Sequence, residues 1–449
     1  MKVLLARVKP HKLTVNLQSF MVCEPLELEY SYAALKSHGH EVEILDLILE
    51  RKSFDKLLKG KNYDLVCFTG YLVHVGEIKR HAAMAKKMMP NCLTVAAGVH
   101  AEVVPTDFVD DSINIILWAN ALHTLVEIAD GADPGRQDGV YKSGAQKPSV
   151  VRLEDKIFPD RNCTKKYRDR YNYIYHDRCA TIKTSFGCPY KCSFCFCTRV
   201  CDYAVRELNR VMDELEKIEE ENVFIVDDDF TASSQRVREF CRLLDERKIE
   251  KHFIAFARAD FITAHEEEIK LLHEHGFDAL FVGLESYREG ELDRFDKRTT
   301  VEQNSAAVRI LESVGMQCYS GLIVGEDWVK RDFDALINYL NGFMHPLVNI
   351  QPITPMPGTP LFDEYRREIT TPRTRYELWD MAHVVFKPER MSKRKYYYHI
   401  LRAYLKTSAN KTQRKFIRER YGKRVYKRVK KGAAHIFFQY LRQMLFPSK

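Results

Sequence analysis

Short β-rich runs alternate with amphipathic helical stretches twice along this chain, and the second series opens on a loop crowded with cysteines. In the first series KVLLAR, EVEILDL, YDLVCFTG, CLTVAAGVH and INIILWA are separated by stretches such as LELEYSYAALKSHG and VGEIKRHAAMAKKMM. A helix between two strands returns the chain to the same end of the sheet, so strands joined in this way run parallel and are covered by helices on both faces. Residues 1–145 are therefore expected to form a five-stranded, doubly wound, Rossmann-like domain. Ligands on such sheets sit beyond the carboxyl ends of the strands, which singles out Gly70 and Tyr71 in one loop and Gly98, Val99 and His100 in another. Neither GxGxxG nor GxxxxGK[ST] occurs, which argues against a nicotinamide or nucleoside triphosphate site.

A polar stretch and a Tyr/Arg-rich segment, 146–174, read as a linker. The second series follows over 175–365, with strands at CATIKTSF, VFIVDDD, FIAFARAD, ALFVGLES, CYSGLIVG and VNIQPITP. Six β/α units in so short a span fit an open, partial barrel, whose chemistry lies at the carboxyl ends of its strands. Residues 366–449 read as helical and basic. From Pro388 onward there are 19 Lys and Arg against two acids, a balance of +17, while residues 1–387 carry −9. Such a tail packs on the barrel, covers its opening, or lies on an anionic membrane or a nucleic acid. No apolar run approaches the roughly 20 residues of a spanning helix, so a cytoplasmic location, with a possible peripheral membrane contact through the tail, is expected.

The loop after the first barrel strand, SFGCPYKCSFCFCTRVC, puts five of the chain's twelve cysteines within residues 188–201. Clustered thiols in a reducing compartment point to metal rather than disulfides. Cys188, Cys192 and Cys195 have the spacing C-x3-C-x2-C. Three thiolates leave one iron of a 4Fe-4S cluster open to another ligand, whereas four, with Cys197 or Cys201 added, would suit a structural zinc ion.

CPYKCSFC resembles the signature of radical S-adenosylmethionine (SAM) enzymes, and VDDDFTASSQRV, FARAD, GLES, GLIVGED and PMPGTPLFDEY are similar to the corresponding stretches of their cobalamin-binding subgroup. The resemblance implies a 4Fe-4S cluster on Cys188, Cys192 and Cys195, SAM bound at its open iron, and a 5′-deoxyadenosyl radical that takes a hydrogen from substrate. It puts Phe194 near the adenine and Asp227, Asp229, Arg258, Glu285 and Gly325 around the SAM and substrate cavity. A pairing of Arg258 with Glu285 inside the barrel is the alternative for those two. For the amino-terminal domain it implies cobalamin, held base-off because no DxHxxG motif occurs, and a methyl transfer or other remodelling of an unactivated carbon. A low-potential flavodoxin or ferredoxin is implied as electron donor. Alternatives are a radical SAM enzyme without cobalamin, including a methylthiotransferase-like one with a second cluster on Cys23, Cys67 and Cys92, and a zinc-stabilised nucleic-acid-binding protein, nucleic acid being the less expected partner.

Overall fold

The computed structural model describes residues 1–150, 157–344, 347–408 and 411–447. Strands β1 (Lys2–Arg7), β2 (Glu41–Asp46), β3 (Leu65–Thr69), β4 (Leu93–Ala97) and β5 (Ile115–Ile116) form one parallel sheet in the order β2-β1-β3-β4-β5. The order reverses between β1 and β3, which opens a crevice at their carboxyl ends. Alternate residues of β1 show the two-sided burial: Val3 and Leu5 pack with helices α1 (Leu26–Ser37) and α3 (Ala121–Ala129), while Leu4 and Ala6 pack with α2 (Val75–Met88).

The second sheet is also parallel, with β6 (Cys179–Ile182), β7 (Asn222–Ile225), β8 (His252–Ala257), β9 (Phe277–Glu285), β10 (Gln317–Val324) and β11 (Leu347–Pro352) in sequential order. Its outer face, with Val223, Ile225, Leu280 and Val282, packs on helices that include α4 (Leu208–Leu215), α5 (Ser234–Arg247), α6 (Glu266–Glu274), α7 (Val301–Ser313) and α8 (Lys330–Asn341). The inner face changes character along the strands. Its lower part is aromatic: Phe224, Phe256 and Phe281 follow one another at ring distances of 5.5 and 4.9 Å. On β9 the same face continues upward through Gly283 to Glu285, so side-chain bulk gives way to space where the chemistry is expected.

The floor of this open barrel is closed by the chain's last third of helices. Among α9 (Lys393–Ser408), α10 (Lys411–Arg420) and α11 (Gly422–Leu445), Ile417 of α10 and Val425 of α11 join Tyr173, Ile174 and Tyr175 against Phe224, Ile254, Ala279 and Tyr319. Arg420 pairs with Asp278 at the start of β9 (2.7 Å), and Arg424 and Arg428 both reach Asp177. The tail thus packs on the barrel, and part of its charge is neutralised there.

Within the segment expected as a linker, residues 157–174 form a structural strap. Arg161 meets Glu214 (2.9 Å), and Arg168 meets Glu220 and Glu24, while Glu24 also accepts from the backbone N–H of Thr181 (2.5 Å). These carboxylates come from both domains, and the buried arginines between them bind the two sheets together. Polarity suggested a linker; the charges are instead buried in pairs, which polarity alone does not reveal.

Candidate active site

The cysteine loop leaves β6 and is fixed by its backbone to two other loops: Ser193 N–H donates to Phe295 O (3.0 Å), and Ser193 O accepts from Leu361 N–H (3.0 Å). Cys188, Cys192 and Cys195 are half-buried, and Cys188 and Cys192 both feel the charge of Cys195. Burial pushes the Cys188 thiol up to about 12, whereas a hydrogen bond from Cys197 draws Cys195 below the ordinary thiol value. Cys197 lies 3.2 Å from Asp228 Oδ1. Among the described residues no three His, Cys, Asp or Glu side chains converge on one point as a single bound ion requires. Cys188, Cys192 and Cys195 are three half-buried free thiols on one short loop, the donor set that a 4Fe-4S cluster with one open iron takes.

The polar groups expected around the mouth divide into those that brace it and those that face it. Asp227 is fully buried and spent on the end of β6, accepting from Thr184 N–H (2.6 Å), Thr184 Oγ1 (2.5 Å) and Ser185 Oγ (2.8 Å). Asp229 accepts from Thr231 through one oxygen; its second oxygen is buried without a partner among the described residues, and burial raises the carboxyl to about 6. Arg258 and Glu285 do not pair with each other. Arg258 lies against Asp260 (2.9 Å), donates to Lys297 O (2.7 Å) and sits 3.7 Å above the Tyr190 ring. Glu285 instead meets Lys297 at 2.9 Å. Burial works against the Lys297 charge, yet Glu285 holds its pKa above the ordinary value. Gly283 leaves room for this pair: a Cβ there would lie 2.1 Å from Glu285 Oε1 and 2.8 Å from Lys297 Nζ and would push the two side chains aside. Phe194 packs edge-on against Phe295 (5.5 Å). The Gly325 carbonyl accepts from the Tyr396 hydroxyl of α9 (2.8 Å), which turns that position into a brace.

On the other side a cavity of about 300 Å3 opens between the carboxyl ends of the first sheet and the cysteine loop. Tyr71, Val99 and His100 line it with Val15, Phe196 and Trp379. Gly70 and Gly98 lie where the two strand-end loops touch: Gly98 has φ +104°, and a Cβ on it would stand 2.8 Å from Gly70 O. His100 is bound to Asp107 (2.8 Å), which also holds Arg373 (2.7 Å), and His74 is tied to the Tyr71 backbone (3.0 Å). Burial lowers His74 to about 4, so it is neutral near pH 7. The ring nitrogens engaged in these bonds hold loops together.

Sequence reasoning missed Lys297, Val15 and Trp379. The alternative cluster on Cys23, Cys67 and Cys92 is not formed: Cys67 and Cys92 are fully buried and belong to cores on opposite faces of the first sheet.

Residues 182–340 match the family described as the radical SAM superfamily, and residues 13–126 match the B12 binding domain. Hopanoid C-3 methylase of Methylococcus capsulatus is 30% identical over 393 residues, covering 84% of this chain and 75% of that protein. Anaerobic magnesium-protoporphyrin IX monomethyl ester cyclase of Cereibacter sphaeroides is 26% identical, covering 82% of this chain and 64% of the cyclase. Among solved structures, OxsB with aqua-cobalamin and SAM bound has TM-score 0.71 at 16% identity, covering all of this chain and 73% of its own. TsrM from Kitasatospora setae, with cobalamin and a [4Fe-4S] cluster bound, has TM-score 0.64 at 18% identity, covering 83% and 76%.

Proposed function

The chain belongs to the cobalamin-binding branch of the radical SAM superfamily and is a methylase in class, and from that premise we propose that it methylates an unactivated carbon of an apolar, ring-fused lipid of the hopanoid kind. Its cofactors are a 4Fe-4S cluster, SAM and cobalamin, and it needs an external reductant. When bound, the cluster and SAM supply the deoxyadenosyl radical, and cobalamin supplies the methyl group.

The observation that carries the reading is the shared cavity. Phe196, one residue past Cys195, lines the same hollow as Tyr71 and Val99 of the first domain, so whatever the two domains bind meets there. Its apolar wall of Val15, Leu72, Val99, Met356 and Trp379 suits a hydrocarbon surface. Cys188, Cys192 and Cys195 hold the cluster. Lys297, with Arg258 behind it, presents positive charge to a carboxylate such as that of SAM, while Glu285 and the unpartnered oxygen of Asp229 accept from amino or hydroxyl groups. Phe194, edge-on to Phe295, would pack near the adenine of SAM. The backbone turns at Gly70 and Gly98 shape the cobalamin side with Tyr71, Val99 and His100. A low-potential flavodoxin or ferredoxin supplies the electron, and a substrate of this kind is met at a membrane surface.

The test is anaerobic reconstitution with iron, sulfide and hydroxocobalamin, then incubation with SAM, reductant and either a hopanoid or a magnesium porphyrin ester. Roughly four irons, a retained corrin and a hopanoid heavier by one CH2 are expected. Deoxyadenosine without retained corrin would overturn the methylation reading, and conversion of the porphyrin alone would overturn the lipid.

A further inference from the structure

Helix α11 turns one side to the protein and the other to solvent. Gly432, Tyr440 and Gln443 are buried, and a Cβ on Gly432 would come within 2.4 Å of the Phe20 ring, so this side is pressed onto the loop before Met21. At 100° per residue the opposite side carries Lys423, Lys427, Lys430 and Lys431 in its first half and Phe438 and Leu445 in its second. Phe438 is 63% exposed, Leu445 47%, and Phe446, just past the helix, 75%. Single exposed apolar residues are unremarkable. Here two on the helix and one just past its end follow four lysines, there is no acid after Glu419, and among the described residues Lys427, Lys430 and Lys431 form no ion pair.

A second observation adjoins the first. Arg414, Lys415 and Arg418 of α10 and Lys423 of α11 rim a hollow of about 600 Å3 at the corner between the helices, together with Tyr426 and one acid, Glu419, which lies 3.9 Å from Lys415 and leaves the rim with a net positive charge. It offers anionic headgroups a concave site continuous with the lysine row through Lys423.

We propose that the outer side of α10 and α11 seats on an anionic phospholipid bilayer, with the lysines and the hollow at the headgroups and Phe438, Leu445 and Phe446 inserted at the interface. Cations beside inserted aromatic and aliphatic side chains fit a charged apolar boundary better than a nucleic acid, which would leave the apolar residues in water. No helix among the described residues is long and apolar enough to cross a membrane, so the contact is peripheral. The position is useful: α11 grips the loop that walls the cavity, with Ser19 Oγ donating to Gly432 O and Gln439 Nε2 to Thr14 O, both at 3.5 Å. Thr14, Val15 and Gln18 of that loop line the cavity on its other side. A bilayer under α11 therefore lies one loop away from the site.

The docking does not depend on the reaction and is read without turnover. Reconstituted full-length protein is sedimented with vesicles of phosphatidylcholine alone and of phosphatidylcholine with phosphatidylglycerol. Retention by the anionic vesicles only, weakened by salt, is expected. Lys427→Gln with Lys431→Gln should weaken it about fivefold per lysine, and Phe438→Gln with Phe446→Gln should abolish salt-resistant binding, both with SAM cleavage unchanged. Undiminished binding by the combined variant would overturn the proposal. So would tighter binding to a nucleic-acid duplex than to vesicles, or a dimer that Phe438→Gln breaks without changing vesicle binding.

Discussion

The two domains build opposite kinds of site. The barrel mouth is made of buried charge, each group matched or deliberately left open: Asp227 against Thr184, Glu285 against Lys297, Arg258 against Asp260, and one oxygen of Asp229 without a partner. The first sheet's mouth is made of backbone shape and apolar surface, with His74 and His100 engaged in holding loops. Electrostatics can grip a small charged ligand at few points, while a large ring system is held by shape over a wide area. Damage at the barrel should therefore act through charge and binding, and damage at the sheet through fit.

The largest effect that would test this contrast is loss of a cluster ligand. Cys192→Ala should lower bound iron from roughly four per chain to near zero and abolish SAM cleavage, while corrin retention by the other domain persists; loss of both together would break the separation. Next is Lys297→Met, which strands the buried Glu285 carboxylate and should cost about 3–5 kcal/mol in urea unfolding. Adding Glu285→Gln should restore most of that stability without restoring SAM affinity.

Asp229→Asn should act in the opposite direction. Burial raises its carboxyl to about 6, above the unfolded value near 4, so the folded chain binds that proton more tightly and is penalised as pH rises. The penalty begins above about pH 4 and stands in full above about pH 6, on the order of 3 kcal/mol. The asparagine variant should therefore be more stable than the parent at pH 8 and no more stable at pH 4; an equal gain at both values would count against this account. The smallest stability change belongs to Gly98→Ala, where a Cβ meets Gly70 O at positive φ and costs about 1–3 kcal/mol. Corrin retention should fall and deoxyadenosine formation should continue.

The same contrast explains what could be read in the sequence. Both sheets were legible because parallel strands buried on two faces read as dense apolar runs. The cluster cysteines were legible because their ligand geometry is carried by one short loop. Lys297 was not: its partner lies twelve residues away, and the two meet only because Glu285 adopts φ +56° and Gly283 leaves room. Val15 and Trp379 stand far apart in the chain and meet only in the cavity. The strap at Arg161 and Arg168 looked like solvated linker because charge reads the same in water and in a buried pair.

The closure of the barrel floor by Ile417 and Val425 bears on the order in which this molecule can be made. Strand β6 leaves the ribosome some 240 residues before Val425, which at ordinary synthesis rates is roughly 10–50 seconds. Within that interval Phe224, Ile254 and Tyr319, once each is made, await two of the side chains that finally cover them. A nascent chain stalled before α11 would display an aromatic-lined, half-built barrel, the kind of surface that chaperones and proteases recognise. Helix α11 thus also marks the point at which the barrel beneath it is covered.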